Sequence, residues 1–428
     1  MSAPCLISVI ALIAVVFIGQ KFKINMGILG LAAAYICGSL IGGLPAGSIL
    51  GLWPVSVMTQ VATIMLFFSV ALNNGTFKSF AEKLIYTGRN LAPVIPFLLY
   101  LSIFIVAALG AGSTAVYIMA LPIYMVAKQI KMKMGLFPII VIAGLNGGAW
   151  QVFARDGAMA AGIMANAGFS QEEVSFLAGK LGIHYLISSL LLFAAGYLIF
   201  QGWKCQPLVT DAPPPYTREQ RTTLILVGLF AVIYMVPTIL NNFISHPVLA
   251  LLASRVDLFM LSCVFAVICL VLKLSSAKVM IDTVPWMALI TVGGMGTFVK
   301  VCTQLGIVDV LSSFISNNVS PALVPNLLAI CAGCMSLFSA TMGVVLPAFY
   351  PLALSLGGTM GISMPLMVSA ISIGSGMSGI SPFSAMGAAT YSVVEEEDNQ
   401  TVFNSQIFTV VLGYAVTQVC IIAGLYAI

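Results

Sequence analysis

The stretch Gly144–Ala158 reads Gly-Leu-Asn-Gly-Gly-Ala-Trp-Gln-Val-Phe-Ala-Arg-Asp-Gly-Ala and lies inside an otherwise apolar segment that runs from about Leu136 to Ala167. Its glycines lower helix propensity, and its Asn, Gln, Arg and Asp side chains are costly in hydrocarbon unless they face protein or a water-filled cavity. Irregular backbone at membrane depth is tolerated only where it is covered by protein or lines a cavity. The stretch therefore predicts a spanning helix that is broken at a binding site.

A second stretch, Gly374–Ala388, has the same design and reads Gly-Ser-Gly-Met-Ser-Gly-Ile-Ser-Pro-Phe-Ser-Ala-Met-Gly-Ala. Both stretches end in Phe-x-x-x-Gly-Ala, at 153–158 and at 383–388. We therefore expect two equivalent broken helices in one chain.

The composition places these stretches in a membrane protein. The 428 residues are 60% hydrophobic and 7% charged, with a mean hydropathy of +1.10, whereas globular domains are about half apolar and a quarter charged. The net charge of +4 is modest, and no basic cluster is interleaved with aromatic residues as a nucleic-acid surface requires. We expect an all-α polytopic protein whose environment is the lipid bilayer and whose partners do not include nucleic acid.

Apolar runs of about 17–25 residues mark spanning helices. They predict ten crossings, at about 4–20, 25–43, 53–72, 135–166 (broken), 177–200, 222–241, 256–273, 284–302, 363–393 (broken) and 401–427. Two further apolar stretches, 93–127 and 321–356, carry small or polar residues at their centres, Gly110–Thr114 and Ser336–Thr341. Each is predicted to be a re-entrant hairpin, whose two half-helices enter and leave the membrane on the same face.

The distribution of basic residues favours this topology. If both hairpins return to their own side, the inner loops collect thirteen of the seventeen Lys and Arg residues: Lys21, Lys23, Lys78, Lys83, Arg89, Lys128, Lys131, Lys133, Lys204, Arg218, Arg221, Lys273 and Lys278. Counting either hairpin as one crossing would reverse everything after it and remove this positive-inside bias. The expected location is the inner membrane of a bacterial-type cell, with both termini on the periplasmic side.

Short motifs indicate an internal repeat. Asn74–Phe77 pairs with Met295–Phe298, Leu121–Pro122 with Leu346–Pro347, and Phe153 with Phe383, so the order span, span, surface helix, hairpin, broken span occurs twice. The predicted divisions are a first span (1–20), repeat 1 (21–167), connecting spans with a cytoplasmic linker at 201–220 (168–245), repeat 2 (246–393) and a last span (394–428). The charge-derived topology makes the repeats inverted, and inverted repeats with discontinuous helices point to a secondary transporter that binds near the membrane midplane.

Four interruptions supply the candidate site residues. Half-helix amino termini suit anions, whereas half-helix carboxyl ends and unwound carbonyl groups suit cations. The predicted substrate ligands are Ser113, Thr114, Asn146, Arg155, Ser339, Thr341, Ser378 and Ser381. The predicted cation ligands are Ser113, Asn146, Gly147, Asp156, Ser339, Ser375 and Gly376. The alternative is that the Ser and Thr residues only cap half-helices or bond between helices.

Arg155 and Asp156 are adjacent opposite charges deep in a predicted span. In one interpretation they form a structural pair or lie in a water-exposed helix end. In the other, Arg155 holds a substrate carboxylate with its planar guanidinium while Asp156 binds the coupling cation or carries a proton. Neighbouring residues on a helix point about 100° apart, so the two side chains need not pair.

Ile24–Gly27, Asn73–Thr76 and Gly110–Pro122 resemble the ion transporter superfamily, which includes the divalent-anion:sodium symporters, and within it most closely the MatC-type malonate and dicarboxylate carriers. The resemblance implies a homodimeric elevator, in which hairpins and broken spans carry the anion past a scaffold. The sodium symporters place Ser-Asn-Thr at each hairpin tip. Here the matching positions read Gly112-Ser113-Thr114 and Ser339-Ala340-Thr341, so hydroxyl groups carry over and the asparagines do not.

The sequence thus predicts Na⁺- or H⁺-coupled symport of a small di- or tricarboxylate by an elevator mechanism, with no cofactor beyond the coupling ion. A Na⁺/H⁺ or oxyanion exchanger on the same fold is the alternative, with Asp156 as its titrating group. An intramembrane enzyme would need paired acids, a metal triad or a phosphate site, which the predicted spans lack. A channel would need an open polar lining, and nothing in the sequence suggests one.

Overall fold

A computed structural model describes residues 3–241, 255–284, 286–337 and 340–427, and all the regular secondary structure of these residues is helical. The helices before the second half of the chain are α1 Ala3–Phe22, α2 Met26–Ala34, α3 Ala46–Gly51, α4 Val55–Asn73, α5 Thr76–Thr87, α6 Ile95–Val106, α7 Ala115–Gln129, α8 Phe137–Ala149, α9 Arg155–Ala167, α10 Gln171–Ile199 and α11 Arg218–Asn241. A π-helical segment, Tyr35–Ile41, extends α2. The expected all-helical class is confirmed for this part of the chain.

The described residues of the second half are helical as well. Its helices are α12 Leu258–Val271, α13 Ala277–Asp282, α14 Trp286–Gln304, α15 Ile307–Asn318, α16 Val324–Ser336, α17 Leu346–Met360, α18 Met364–Met377, α19 Ala385–Ser392 and α20 Asn399–Ile422. A π-helical segment, Thr341–Val345, precedes α17. The lengths of α14–α18 (19, 12, 13, 15 and 14 residues) are close to those of α4–α8 (19, 12, 12, 15 and 13 residues), and the internal repeat remains a prediction.

Aligning the two halves by their helix boundaries pairs different residues from those that the short sequence motifs pair. The glycines that begin α5 and α15, Gly75 and Gly306, both adopt left-handed backbone with φ of 74° and 90°. Gly296, which the motifs pair with Gly75, lies inside α14. Gly75 therefore corresponds to Gly306. The orientation of the two halves across a bilayer remains a prediction.

The spans can be judged by length and composition. Four helical segments of the described residues are long and apolar enough to cross a membrane: Ala92–Gln129, Gln171–Ile199, Thr341–Met360 and Glu396–Ile422. A fifth is obtained if Leu289–Gln304 and Ile307–Asn318, which meet at 69°, form one broken span. Seven shorter apolar helices accompany them: Pro4–Gly19, Met26–Ile41, Ala62–Asn73, Met134–Ala149, Phe259–Val271, Pro321–Ser336 and Met364–Ile380. The chain is thus a multi-pass membrane protein, and the count of ten crossings remains a prediction.

Glycines allow several helices to touch through their backbones. A Cβ atom added at Gly294 of α14 would lie 1.9 Å from the Gly27 carbonyl oxygen of α2. In the same way Gly148 of α8 faces the Phe104 carbonyl oxygen of α6, 2.1 Å from a hypothetical Cβ, and Gly374 of α18 faces the Ala329 carbonyl oxygen of α16 at 2.6 Å. Small residues that permit such close approach are typical of helix contacts in membranes.

An ionic cluster joins the end of α7 to the segment that follows α19. The Lys128 ammonium contacts three carboxylates, those of Glu395 (2.6 Å), Glu397 and Asp398 (3.7 Å). The Tyr124 hydroxyl also donates a hydrogen bond to Asp398 Oδ2 at 2.7 Å. Residues from the two halves of the chain are therefore fastened together at this end of the molecule.

The linker at 201–220 is largely non-helical and lies against the first half. The Leu208 amide donates to the Arg89 carbonyl at 2.9 Å, and the Gln206 amide donates to the Ile130 carbonyl at 2.8 Å. Lys83 of α5 donates to the Pro214 carbonyl at 2.7 Å and lies over the Tyr216 ring. Burial raises the pKa of the Tyr216 phenol above its ordinary value. The linker is thus docked on α5 and on the end of α7.

Candidate functional site

The two broken helices are interrupted by equivalent turns. The first break, residues 150–154, separates α8 from α9, and the second break, residues 378–384, separates α18 from α19. The Ala154 amide donates to the Gln151 carbonyl at 2.8 Å, and in the second break the Ser384 amide donates to the Ser381 carbonyl at 2.9 Å. The two breaks thus contain the same turn hydrogen bond, and their equivalence as parts of a repeat remains a prediction.

The next glycines strengthen this correspondence. A Cβ atom on Gly157 would lie 2.1 Å from the Gln151 carbonyl oxygen, and one on Gly387 would lie 1.9 Å from the Ser381 carbonyl oxygen. Each glycine thus lets a new helix start directly beneath the turn that precedes it. Each of the helices α9 and α19 begins two residues before its glycine, so that Arg155 takes the position of Ala385 and Asp156 that of Met386.

The chain is also interrupted where the two hairpins were predicted. In the first tip, residues 107–114, Leu109 and Gly110 leave helical geometry and Gly112 has φ 53° and ψ −141°. In the second tip, residues 340–345, Ala340 is extended before the helical segment that leads into α17. Ser339 lies outside the described residues. The two interruptions agree with the predicted tips, and their re-entrant path through a bilayer remains a prediction.

All four interruptions meet at one cavity of about 500 Å³. Its walls combine both tips and both breaks with residues of α2 and α14. The lining residues are Met26, Ser113, Tyr117, Asn146, Trp150, Arg155, Asp156, Met159, Thr291, Val292, Ser336, Ala340, Thr341, Met342, Gly343, Gly376, Gly379, Phe383, Ser384 and Met386. The predicted convergence of tips and breaks is thus present in the described part of the chain.

Arg155 and Asp156 form an ion pair on the first tip. Arg155 Nε donates to Asp156 Oδ1 at 2.8 Å, while Arg155 Nη2 donates to the Ser113 hydroxyl. Asp156 Oδ2 accepts a hydrogen bond from the Ser113 backbone amide at 2.9 Å. Both charged residues are buried, with 4% and 5% of their surface exposed. The two side chains therefore pair, as in the structural interpretation, while both also line the cavity.

Six of the predicted ligands line the cavity, and they are Ser113, Asn146, Arg155, Asp156, Thr341 and Gly376. The Asn146 side chain donates a hydrogen bond to the Gly376 carbonyl at 3.2 Å and so links α8 to α18. The Thr341 hydroxyl lies 2.7 Å from the Ser336 hydroxyl and 3.5 Å from the Ser375 carbonyl oxygen. These contacts draw polar groups of both halves into one site.

Five predicted ligands lie outside the cavity because the helices use them elsewhere. Thr114 donates to the Ala111 carbonyl at 2.6 Å, and Ser375 donates to the Ser372 carbonyl at 2.9 Å. Gly147 packs against Ser189, and Ser381 accepts from the Phe383 amide at 3.3 Å. The Ser378 hydroxyl is within hydrogen-bond distance of both the Gly333 carbonyl and the Tyr414 hydroxyl. For these residues the capping or packing alternative describes the geometry.

The sequence prediction missed the apolar wall of the cavity. Trp150 lies in the first break and stacks on Tyr185, with ring centroids 4.2 Å apart and an interplanar angle of 15°. Met26 and Thr291 come from α2 and α14, which are fastened together by a 2.8 Å hydrogen bond from Asn25 Nδ2 to Thr291 Oγ1. Trp150 stood inside the quoted stretch, but an apolar side chain in an apolar chain gives no signal that separates lining from core.

The cavity balances one positive and one negative side chain. Arg155 and Asp156 are the charged residues among those that line it. Arg155 Nη1 donates no hydrogen bond to the described residues. The first amides of the second tip, Thr341–Gly343, likewise donate none, and Ala340 gives no side-chain cap. Helix-start amides with no partner among the described residues, in the same cavity as a guanidinium, form a suitable setting for an anion.

Two comparisons with known proteins bear on the family and the fold. Residues 1–149 match the family model described as the dicarboxylate carrier protein MatC N-terminus. No curated protein matches the sequence. Among solved structures the chain is similar to the YdaH transporter of Alcanivorax borkumensis, whose crystal structure is described as revealing an unusual topology.

The YdaH likeness has a TM-score of 0.58 at 13% identity and covers 99% of this chain and 98% of that chain. At this identity it concerns the fold alone. Membership of the wider ion transporter superfamily remains a prediction. Residues 1–149 are thus similar to the amino-terminal part of a dicarboxylate carrier family, and the chain as a whole shares the fold of a transporter of known structure.

Proposed function

We propose that the protein is a secondary active transporter that couples uptake of a small di- or tricarboxylate to Na⁺ or H⁺ across the inner membrane. The observation that carries the proposal is the guanidinium of Arg155, whose Nε and Nη2 donate hydrogen bonds to Asp156 and Ser113. Its Nη1 donates no hydrogen bond to the described residues, and Thr341–Gly343, whose amides also donate none to the described residues, line the same cavity. A carboxylate can accept hydrogen bonds from both the guanidinium and these amides.

The charge of the cavity explains why the anion needs a coupling cation. Since Arg155 and Asp156 cancel, the lining offers a dianion no net positive charge. An inside-negative potential opposes entry of each negative charge by about 2.3 kcal/mol per 100 mV. Two co-transported cations make the loaded site neutral, and a third makes transport electrogenic.

Oxygen atoms near the two breaks could hold such a cation. Asn146 lines the cavity with its amide nitrogen already engaged by the Gly376 carbonyl, which leaves Oδ1 as an acceptor. Thr341 and Ser336 add hydroxyl oxygens on the facing tip. Oxygen ligands of this kind suit a hard cation such as Na⁺. Asp156 is less favourable for Na⁺ than the sequence suggests, because the guanidinium of Arg155 lies directly against it.

The arrangement of the walls suits an elevator. The tips, the breaks and the helices that flank them supply most of the polar lining, while Met26, Thr291 and Val292 belong to the closely packed pair α2 and α14. In the proposed cycle the tips and breaks move together with the anion past this pair. A homodimer would hold the pair fixed in the membrane, as the resemblance implies.

The proposal is tested with purified protein by thermal shift across malonate, succinate and citrate, each with and without Na⁺ and at two pH values, followed by uptake into proteoliposomes. Arg155→Ala removes a charged hydrogen-bond donor, which is worth about 1.5–3 kcal/mol, so affinity should fall roughly 10- to 100-fold. Arg155→Lys keeps the charge and should keep part of the affinity.

The matched control is Arg89→Ala, because Arg89 stacks on Tyr86 outside the cavity. Size-exclusion profiles establish that each variant is folded. The proposal is overturned if no carboxylate stabilises the wild type under any condition, or if folded Arg155→Ala binds the carboxylate as the wild type does.

A further inference from the structure

The carboxylate of Asp156 is hydrogen-bonded to the backbone of the first tip. One oxygen accepts from Arg155 Nε at 2.8 Å and the other accepts from the Ser113 amide at 2.9 Å. A helix-start amide is the kind of group that binds carboxylate ligands. In this structure, therefore, the first tip already holds a carboxylate, and the chain itself provides it.

The first tip is shaped around this carboxylate. A Cβ atom at Gly112 would lie 2.7 Å from Asp156 Oδ1 and 2.8 Å from Arg155 Nε. The φ of 53° with ψ of −141° at Gly112 is a conformation that only glycine adopts readily. Glycine at this position thus satisfies both the backbone and the space that the ion pair needs.

Among the described residues, the second tip has no carboxylate equivalent to that of Asp156. The residue that corresponds to Asp156 is Met386, which lines the cavity and has no hydrogen-bonding oxygen in its side chain. The amides of Thr341–Gly343 donate no hydrogen bond to the described residues. Arg155, nine-tenths buried, has one nitrogen, Nη1, that is likewise unpaired within the described part of the chain.

We infer that Asp156 is a resident carboxylate that closes the first tip to substrate, so that the transported anion is held through one carboxylate, between the second tip and Arg155. This inference rests on the proposed function and refines its specificity. The second tip and Arg155 together bind one carboxylate, and the rest of the substrate faces Trp150 and the methionines that line the cavity. A monoester of a dicarboxylic acid should then compete with the diacid, because it keeps the required carboxylate.

The test removes the resident carboxylate and offers a small one in its place. Purified Asp156→Ala is unfolded thermally in sodium formate and in sodium chloride at equal ionic strength. Formate should fill the vacated space against the Ser113 amide and Arg155 Nε, and it should raise the unfolding temperature of this variant by several degrees while leaving the wild type unchanged. Asp156→Asn is the matched control, since its amide fills the same volume and leaves no room for formate.

If Asp156→Ala is unstable in chloride, it is purified in parallel in formate and in chloride. Recovery of folded protein in formate alone supports the inference. Equal recovery in both salts with no formate shift, equal formate shifts in variant and wild type, or failure in both salts overturns it.

These outcomes are separate from those of the proposed function. Formate rescue is read as stability and does not depend on any transported substrate. If no carboxylate binds the wild type while formate still rescues Asp156→Ala, the proposed function fails and the first tip is still a carboxylate site. If carboxylates bind the wild type but formate does not rescue the variant, the proposed function stands and the resident carboxylate is rejected.

Discussion

The side-chain amide of Asn146 donates a hydrogen bond to the backbone carbonyl of Gly376, 3.2 Å away, and this bond joins the last turn of α8 to the last turn of α18. Asn146 is buried, with 3% of its surface exposed. The two broken helices are therefore held to each other at the point where both approach the cavity.

Asn146→Ala should weaken this junction. Leaving the buried Gly376 carbonyl without its donor costs about 1–3 kcal/mol, so the unfolding temperature should fall and carboxylate uptake should be lost or strongly reduced. Asn318→Ala is the control, because among the described residues the Asn318 side chain bonds to the Phe314 carbonyl of its own helix, at an exposed position. Uptake by folded Asn146→Ala at the wild-type rate would contradict the role given to this bond.

Gly112→Ala tests the fit between the first tip and the ion pair. Left-handed backbone at a residue with a Cβ costs roughly 1–2 kcal/mol, and here the Cβ would also collide with Asp156 and Arg155. Gly306→Ala shares a positive φ, 90°, but a Cβ there has open space. We expect both variants to lose stability and only Gly112→Ala to lose carboxylate binding in the thermal-shift assay.

The close crossing of α2 and α14 gives a third prediction. Gly294→Ala forces a methyl group against the Gly27 backbone, and overpacking of this kind costs about 1–3 kcal/mol. Gly228→Ala lies inside α11 with no described atom within 4 Å of its Cβ, and it should gain up to about 1 kcal/mol from helix propensity. Unfolding temperatures measured in detergent should therefore move in opposite directions. Equal shifts would argue against backbone contact at the crossing.

The ionic cluster at Lys128 should make stability depend on salt. Salt screens ion pairs between partly exposed groups, so raising the salt concentration should lower the unfolding temperature of the wild type more than that of Lys128→Met. Lys131→Met is the control, since Lys131 forms no ion pair with the described residues. A salt response of Lys128→Met equal to that of the wild type would show that the cluster contributes nothing.

The sequence located the interruptions because glycine and polar residues are rare inside apolar runs, but it misplaced their limits. Gly148 and Gly374 were expected to belong to unwound backbone, and instead both lie in regular helix where they admit a neighbouring helix. Glycine has two uses in a membrane helix, release from helical geometry and close approach. Only the position of the neighbouring helix distinguishes them, and no local pattern records it.

The sequence left the pairing of Arg155 with Asp156 as one of two open interpretations for a related reason. The 100° separation of neighbouring helix residues describes where their Cβ atoms point, whereas the long side chain of Arg155 bends back from its own Cβ. The convergence of both residues on Ser113 depends on a tip some forty residues earlier in the chain. Such a contact follows from the tertiary fold and could not be read from the stretch itself.

The neutral ion pair has a consequence for the unloaded carrier. An elevator must bring its empty site back across the membrane after each delivery, and an uncompensated Arg155 would move through the electric field on that return. Because Asp156 is paired with Arg155, the described lining residues of the empty site carry no net charge. In the proposed elevator cycle the empty return should therefore produce no gating current, and the membrane voltage should act on the loaded crossing only when a third cation accompanies the dianion.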